Sequence, residues 1–189
     1  MLLSLLLASC DGDQRMSMQY GKGEVYPPDQ LYAVVEVPAG TSELFRFNFS
    51  EDRLEASGDT VPFLPFPGNY GFILRSNAFE QQLARTDHLS CLVLSSALNA
   101  QEILPVHPVG VLIMEDAGKR ENLIICIPES EVLQTLKIRD FVDFMTDYDP
   151  VRFQIQHWFA NFQGPNAVHI VGWEDEEYAS RLIEQKGNQ

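Results

Sequence analysis

Between Leu31 and Pro128 the apolar residues come in short runs, each stopped by Pro, Gly, Asn or Asp. Runs of that length are too short for globular helices and long enough for strands, so this stretch predicts a β-rich unit. Leu31–Val37 reads Leu-Tyr-Ala-Val-Val-Glu-Val and ends at Pro38-Ala39-Gly40. Residues 43–49 alternate in period 2, with Phe45, Phe47 and Phe49 on one face; these rings are expected to face the interior of the unit. Residues 61–75 carry three prolines and turn through Asn69-Tyr70-Gly71 into a short strand. Residues 91–94, 109–114 and 123–127 are unbroken apolar runs that read as fully buried strands. The segment Glu115–Arg120 between the last two predicts a hairpin-like loop.

The period changes after Glu129. Phe141, Phe144 and Met145 recur at helical spacing, as do Phe153, Ile155, Trp158, Phe159 and Phe162 behind Asp149-Pro150, which reads as an N-cap with proline at the first helical position. A last strand is expected over 168–171 and a last helix near 174–186, whose first turn holds Glu174, Asp175, Glu176 and Glu177 at the positive end of its dipole. Strands over 31–128 and 168–171 with helices from 129–162 and 174–186 packed outside give an α+β, mainly β fold. At 189 residues the chain suits one domain, placed at 28–189.

Charge narrows the partners. The 27 acidic and 13 basic residues leave a net charge of −14, which repels phosphate backbones and argues against nucleic acid. The same field argues against the oligonucleotide-binding use of an OB-like barrel, since no basic stripe runs between aromatic residues. Three scattered cysteines are too few for a disulfide framework or a CxxC zinc site.

Residues 1–10 read as a signal or lipobox-like segment: a leucine run, then Leu7-Ala8-Ser9-Cys10, with Cys10 as the lipidation site. No Lys or Arg precedes the leucines, so a basic region is expected upstream of Met1. Residues 11–27 are polar and glycine-containing, as a flexible tether would be. These features predict lipid anchoring at the cell envelope, with a cytoplasmic protein as the alternative.

Several motifs then occur in order: Leu31-Tyr32-Ala33-Val34-Val35-Glu36-Val37-Pro38, Pro67-Gly68-Asn69-Tyr70-Gly71-Phe72-Ile73, Pro108-Val109-Gly110-Val111-Leu112-Ile113-Met114, Ile124-Ile125-Cys126-Ile127-Pro128, His157-Trp158-Phe159 and Gly172-Trp173. Together, over about 28–184, they resemble the soluble (family I) inorganic pyrophosphatases. The resemblance implies a five-stranded OB-like barrel with flanking helices, often a homo-oligomer. It implies Mg²⁺-assisted hydrolysis of pyrophosphate, with carboxylates holding the metals and cations neutralising the leaving phosphate. Carried over residue by residue, it aligns Glu36 and Asp116 with metal ligands and Tyr70 with a substrate-binding tyrosine. The hallmark Asp-x-Asp-Pro-x-Asp falls at Arg85–Ser90, where only Asp87 matches; Asp87 and Asp116 are thus the catalytic and metal candidates. Arg120 and Asn122 stand where an Asp and a Lys are implied. The Lys-x-Glu pattern falls among Leu44–Phe47, an expected Arg near Gly58 or Asp59, and a Tyr-Lys pair at Phe162-Gln163.

These losses touch both metal ligands and phosphate cations, so the expected protein is a degenerate relative. It would show little or no hydrolysis, weak Mg²⁺ binding, and a binding or structural role towards pyrophosphate or another small anion. The alternative is an active Mg²⁺-dependent diphosphatase with a rebuilt site, to which Glu80, Asp140 or Asp143 would contribute. Asp87-His88 is a weak metal pair, the Asp140, Asp143, Asp147 and Asp149 run reads as a solvated face, and His107 and His157 read as structural histidines. Cys91 and Cys126 lie in apolar strands and read as small hydrophobes. The N-terminal reading has a direct test. Labelled palmitate is expected on the wild-type chain and not on Cys10→Ala; equal labelling of the two removes the lipid anchor.

Overall fold

The structure is a computed structural model and describes residues 30–48, 53–75 and 88–187. The segments at 1–10 and 11–27, with Cys10, lie outside the described residues. Eight strands are seen: β1 (Leu31–Val37), β2 (Glu43–Asn48), β3 (Arg53–Thr60), β4 (Asn69–Arg75), β5 (Ser90–Val93), β6 (Ile103–Asp116), β7 (Lys119–Pro128) and β8 (His169–Glu174). Three helices follow the strand-rich part: α1 (Phe141–Thr146), α2 (Asp149–Asn161) and, after β8, α3 (Glu176–Gly187).

Strand pairing runs β1-β4-β5-β7-β6, and β6 returns to β1, closing a ring of five strands. Only the β5–β7 pair in that ring is parallel. β6 is long enough to serve two neighbours on one edge: Ile103–Val106 pair with β1, and Val111–Glu115 pair with β8. Closure hides the strand edges, and packing hides both faces. On β7, Leu123, Ile125 and Ile127 enter one apolar cluster, with Phe144, Ile155 and Trp158 from α1 and α2. Ile124 and Cys126 enter a second, with Ala179 and Ile183 from α3. That double burial is why these strands read as unbroken apolar runs.

Two features of the ring aim the site. The first is the turn joining β6 to β7. The strands run on to Asp116 and Lys119, which face each other, so the expected loop shrinks to Ala117-Gly118. Both turn residues have positive φ, 49° and 81°, the twist that a two-residue hairpin favours. The second is a bulge in β1. Val35 pairs with Gly71 and Val37 with Tyr70, leaving Glu36 as the extra residue. A bulge shifts the alternation, and accordingly Val35 belongs to one cluster and Val37 to the other.

Three expectations need correction. β2 is a strand, but it pairs with β3 in a separate two-stranded sheet rather than in the ring. Phe45 is half-buried there; the Phe47 side chain and Phe49 lie outside the described residues. Helical spacing after Glu129 gives only turns before α1, with Leu133 and Gln134 bonding back to Ser130 and Glu131. Tyr148, not Asp149, is the N-cap of α2, and Pro150 stays within its first turn.

Asn69 is a fully buried polar residue and ties two loops to β4. Its Oδ1 accepts from the N–H groups of Ala39 (3.0 Å) and Leu98 (2.9 Å), and its Nδ2 donates to Ser96 O (3.0 Å) and Ser95 Oγ (3.1 Å). Asn69→Ala strands buried donors, at a cost of about 2–4 kcal/mol. The expected fall in melting temperature is on the order of 10 °C, read by calorimetry. A shift within 1–2 °C, by about the same scaling, would show that these loops hold without it.

Candidate functional site

A cavity of about 670 Å³ opens beside the β6–β7 turn. Its lining includes Glu36 from the β1 bulge, Tyr70 from β4, Ser90 from β5, and Asp116, Lys119, Arg120, Glu121 and Asn122 from the hairpin. Gln163 after α2 and Lys186 near the end of α3 complete the polar lining. Glu36, Tyr70 and Asp116, far apart in the chain, therefore share one cavity. Each is delivered by a backbone device: the bulge, the β4 strand beneath Asn69, and the extended hairpin.

The electrostatics are mixed. Burial, above all, pushes the Tyr70 phenol above its ordinary 10; a hydrogen bond to Ser90 opposes this, and the charges of Glu36 and Glu121 add to it. Tyr70 therefore stays a neutral hydroxyl, donating to Ser90 Oγ at 3.1 Å. Asp116 Oδ2 accepts from Gln163 Nε2 at 3.0 Å, which ties the end of α2 to the hairpin. Lys119 lies 3.4 Å from Glu121, and both are solvent-exposed, so the pair contributes little stability.

The other sequence candidates sort cleanly. Asp87 and Glu80 lie outside the described residues. His88 lines the cavity and stacks on Phe72 at 4.3 Å. His107 lies 3.5 Å from Glu129 and His157 beside Phe153, both off the cavity lining. The acidic run, expected to be one solvated face, is not one. Asp140 caps α1 through the Asp143 N–H, and Asp149 pairs with Arg152 at 2.9 Å. Asp143 is buried and held by a two-pronged Arg139 contact (2.6 and 2.7 Å), with its carboxyl lowered by that partner. Asp140 and Asp143 thus serve helix α1 and do not line the cavity. Cys91 and Cys126 are fully buried and their thiols are pushed up by burial, so they stay protonated. Lys119, Glu121, Ser90 and Lys186 had not been singled out from sequence. The Lys119–Glu121 charges at a predicted turn are a usable signal, and Ser90 stands at the third aspartate position of the motif aligned with Arg85–Ser90; nothing local marks Lys186.

The donor chemistry near Glu36 and Asp116 is hard oxygen, which suits Mg²⁺. Among the described residues, however, no three His, Cys, Asp or Glu side chains gather as a metal site. These residues do not by themselves make a cage for the ion.

The closed five-stranded ring thus carries, at one hairpin, a cavity lined by both carboxylates and cations. The sequence profile of the family described as inorganic pyrophosphatase matches residues 33–189, and the chain belongs to that family. Inorganic pyrophosphatases of Agrobacterium fabrum and Mesorhizobium japonicum are 29% and 27% identical to it, each match covering 83% of this chain and 88% of the relative. Solved inorganic pyrophosphatases from Helicobacter pylori and Thermus thermophilus superpose with TM-scores of 0.69 and 0.68 at 26% and 27% identity. They cover 87% and 86% of this chain and 95% and 91% of theirs. The fold and family expectations are borne out.

The raised Tyr70 phenol predicts alkaline weakening. Above pH 10 the unfolded chain releases this proton while the folded chain keeps it, so stability falls as pH rises through the folded value. Urea midpoints between about pH 9 and 11 should fall more steeply for wild type than for Tyr70→Phe. Equal slopes would remove the buried-phenol account.

Proposed function

We propose that the cavity binds inorganic diphosphate and that the chain hydrolyses it to two phosphates with Mg²⁺. The observation that carries this reading is the convergence of Glu36, Tyr70 and Asp116 on one cavity. They are the three positions where the sequence resembles the family's site and the structure describes the residue. The names of the relatives support the same activity. Lys119 and Arg120 at the hairpin tip supply positive charge for phosphate oxygens. Tyr70, kept neutral, would offer its one O–H to a phosphate oxygen by turning it away from Ser90 Oγ, its acceptor in this structure. Mg²⁺, when bound, would polarise the phosphate and lower the pKa of a coordinated water. Glu36 and Asp116 are the carboxylates placed to meet it, with substrate oxygens completing its shell.

A second reading is binding without turnover. It is favoured by the lack of a three-acid group among the described residues, by Arg120 and Asn122 where an Asp and a Lys are implied, and by the Gln163 contact that occupies Asp116. A lipid on Cys10 at the envelope remains a proposal supported by Leu7–Cys10 alone, and self-association one supported by the family resemblance.

Phosphate release from diphosphate by the full chain separates the two readings. The expected result is Mg²⁺-dependent release that falls at least tenfold, about 1.4 kcal/mol, in Asp116→Ala. Absence of Mg²⁺-dependent release from protein that still binds diphosphate would overturn hydrolysis and leave the binding reading.

A further inference from the structure

One side of the cavity is aromatic. Phe45, Phe66, Phe159 and Phe162 line it together with the polar groups. Phe66 lies 5.4 Å from the Tyr70 ring and 4.4 Å from Trp158, and Phe162 stacks on Trp158 at 5.2 Å with the rings 7° apart. Trp158 is buried behind them. Phe45 and Phe162, both half-buried, give this side its open ring surface, while Phe66 and Phe159 belong to the buried core; Gln163, next to Phe162, reaches Asp116 on the hairpin with its amide.

This wall is a poor surface for an inorganic anion. Diphosphate is compact and has no apolar surface, and each of its oxygens needs a donor or a cation; against Phe45 and Phe162 it would lose hydration with nothing in return. The cavity volume is in the range of sites for organic ligands, which are mostly apolar with a few placed polar groups. Two of the wall residues, Phe45 and Phe162, fall where the family resemblance implies charged or hydroxyl-bearing side chains.

We propose that the preferred ligand is an organic mono- or diphosphate ester whose apolar group lies on the half-buried rings of Phe45 and Phe162 while its phosphate oxygens face Lys119 and Arg120. The proposal rests on the reading that this cavity binds phosphate oxygens and adds the class of group they are attached to. The apolar group gains the burial that the wall offers, and the charged end keeps the contacts described for diphosphate.

Trp158, packed on two wall residues, reports occupancy by its fluorescence. The full chain is titrated at fixed Mg²⁺ with inorganic diphosphate and with geranyl diphosphate, which share the diphosphate unit, the ester having one ionisable oxygen fewer. Geranyl diphosphate is expected to bind at least tenfold more tightly. Phe45→Ser should bring the two affinities together, and Phe45→Leu, which keeps the surface apolar, should preserve the difference. Equal affinities in wild type would overturn the ester proposal and leave the diphosphate reading standing. An advantage that survives Phe45→Ser would overturn the wall as its cause. Binding of neither probe would overturn the phosphate reading itself.

Discussion

The backbone of β4 lies so close to β1 that a Cβ on Gly71 would collide with the Val34 carbonyl oxygen. β1 pairs with β4 along one edge at this contact and with β6 along the other, and these two pairings close the ring. It also sits at the bulge. With Gly71 drawn against Val34 and Val35, the next pair is Val37 with Tyr70, and Glu36 is left between them. The packing that closes the barrel and the geometry that turns a carboxylate towards the cavity are therefore one local arrangement. A larger side chain at Gly71 would disturb both together.

From that arrangement the site follows outward. Asn69 anchors the loops flanking β4, so Tyr70 has a fixed backbone. The two-residue β6–β7 turn presents Asp116, Lys119 and Arg120 from strand ends rather than from a long loop. The chain carries a net charge of −14, yet it places Lys119, Arg120 and Lys186 around this one cavity. Glu36, Asp116 and Glu121 line the same cavity, so the cations there offset carboxylates locally, and charges within a Debye length of ~10 Å weigh more on a bound ion than the overall charge.

The ring strands were legible because burial on both faces makes them apolar throughout; Leu31–Val37, Cys91-Leu92-Val93 and Leu123–Ile127 needed no tertiary context. β3 was not legible. Arg-Leu-Glu-Ala-Ser-Gly-Asp-Thr has no apolar period, and pairing with β2 alone makes it a strand. The alternating phenylalanines revealed β2 as a strand but not its sheet, since period 2 shows a half-buried face without saying what covers it. The helical spacing after Glu129 gives only short turns before α1, with bonds from Leu133 to Ser130 and from Gln134 to Glu131. At the site, Glu36, Tyr70 and Asp116 were recoverable from motif order. Gln163 bonding Asp116 was not, because the pair is brought together only by the fold, and Asp143 belongs to Arg139 rather than to solvent or metal for the same reason.

Conventional metal ligands are sparse among the described residues, cations and aromatic rings share the wall, and Asp116 already has a partner in Gln163. All of this assumes that phosphate oxygens settle at the hairpin end of the cavity. A crystal structure of the protein soaked in diphosphate and Mg²⁺ tests that most directly. The account predicts phosphate density within hydrogen-bond distance of the Tyr70 hydroxyl and of Lys119 or Arg120; phosphate bound only outside this cavity, with the hairpin end filled by water, would contradict it.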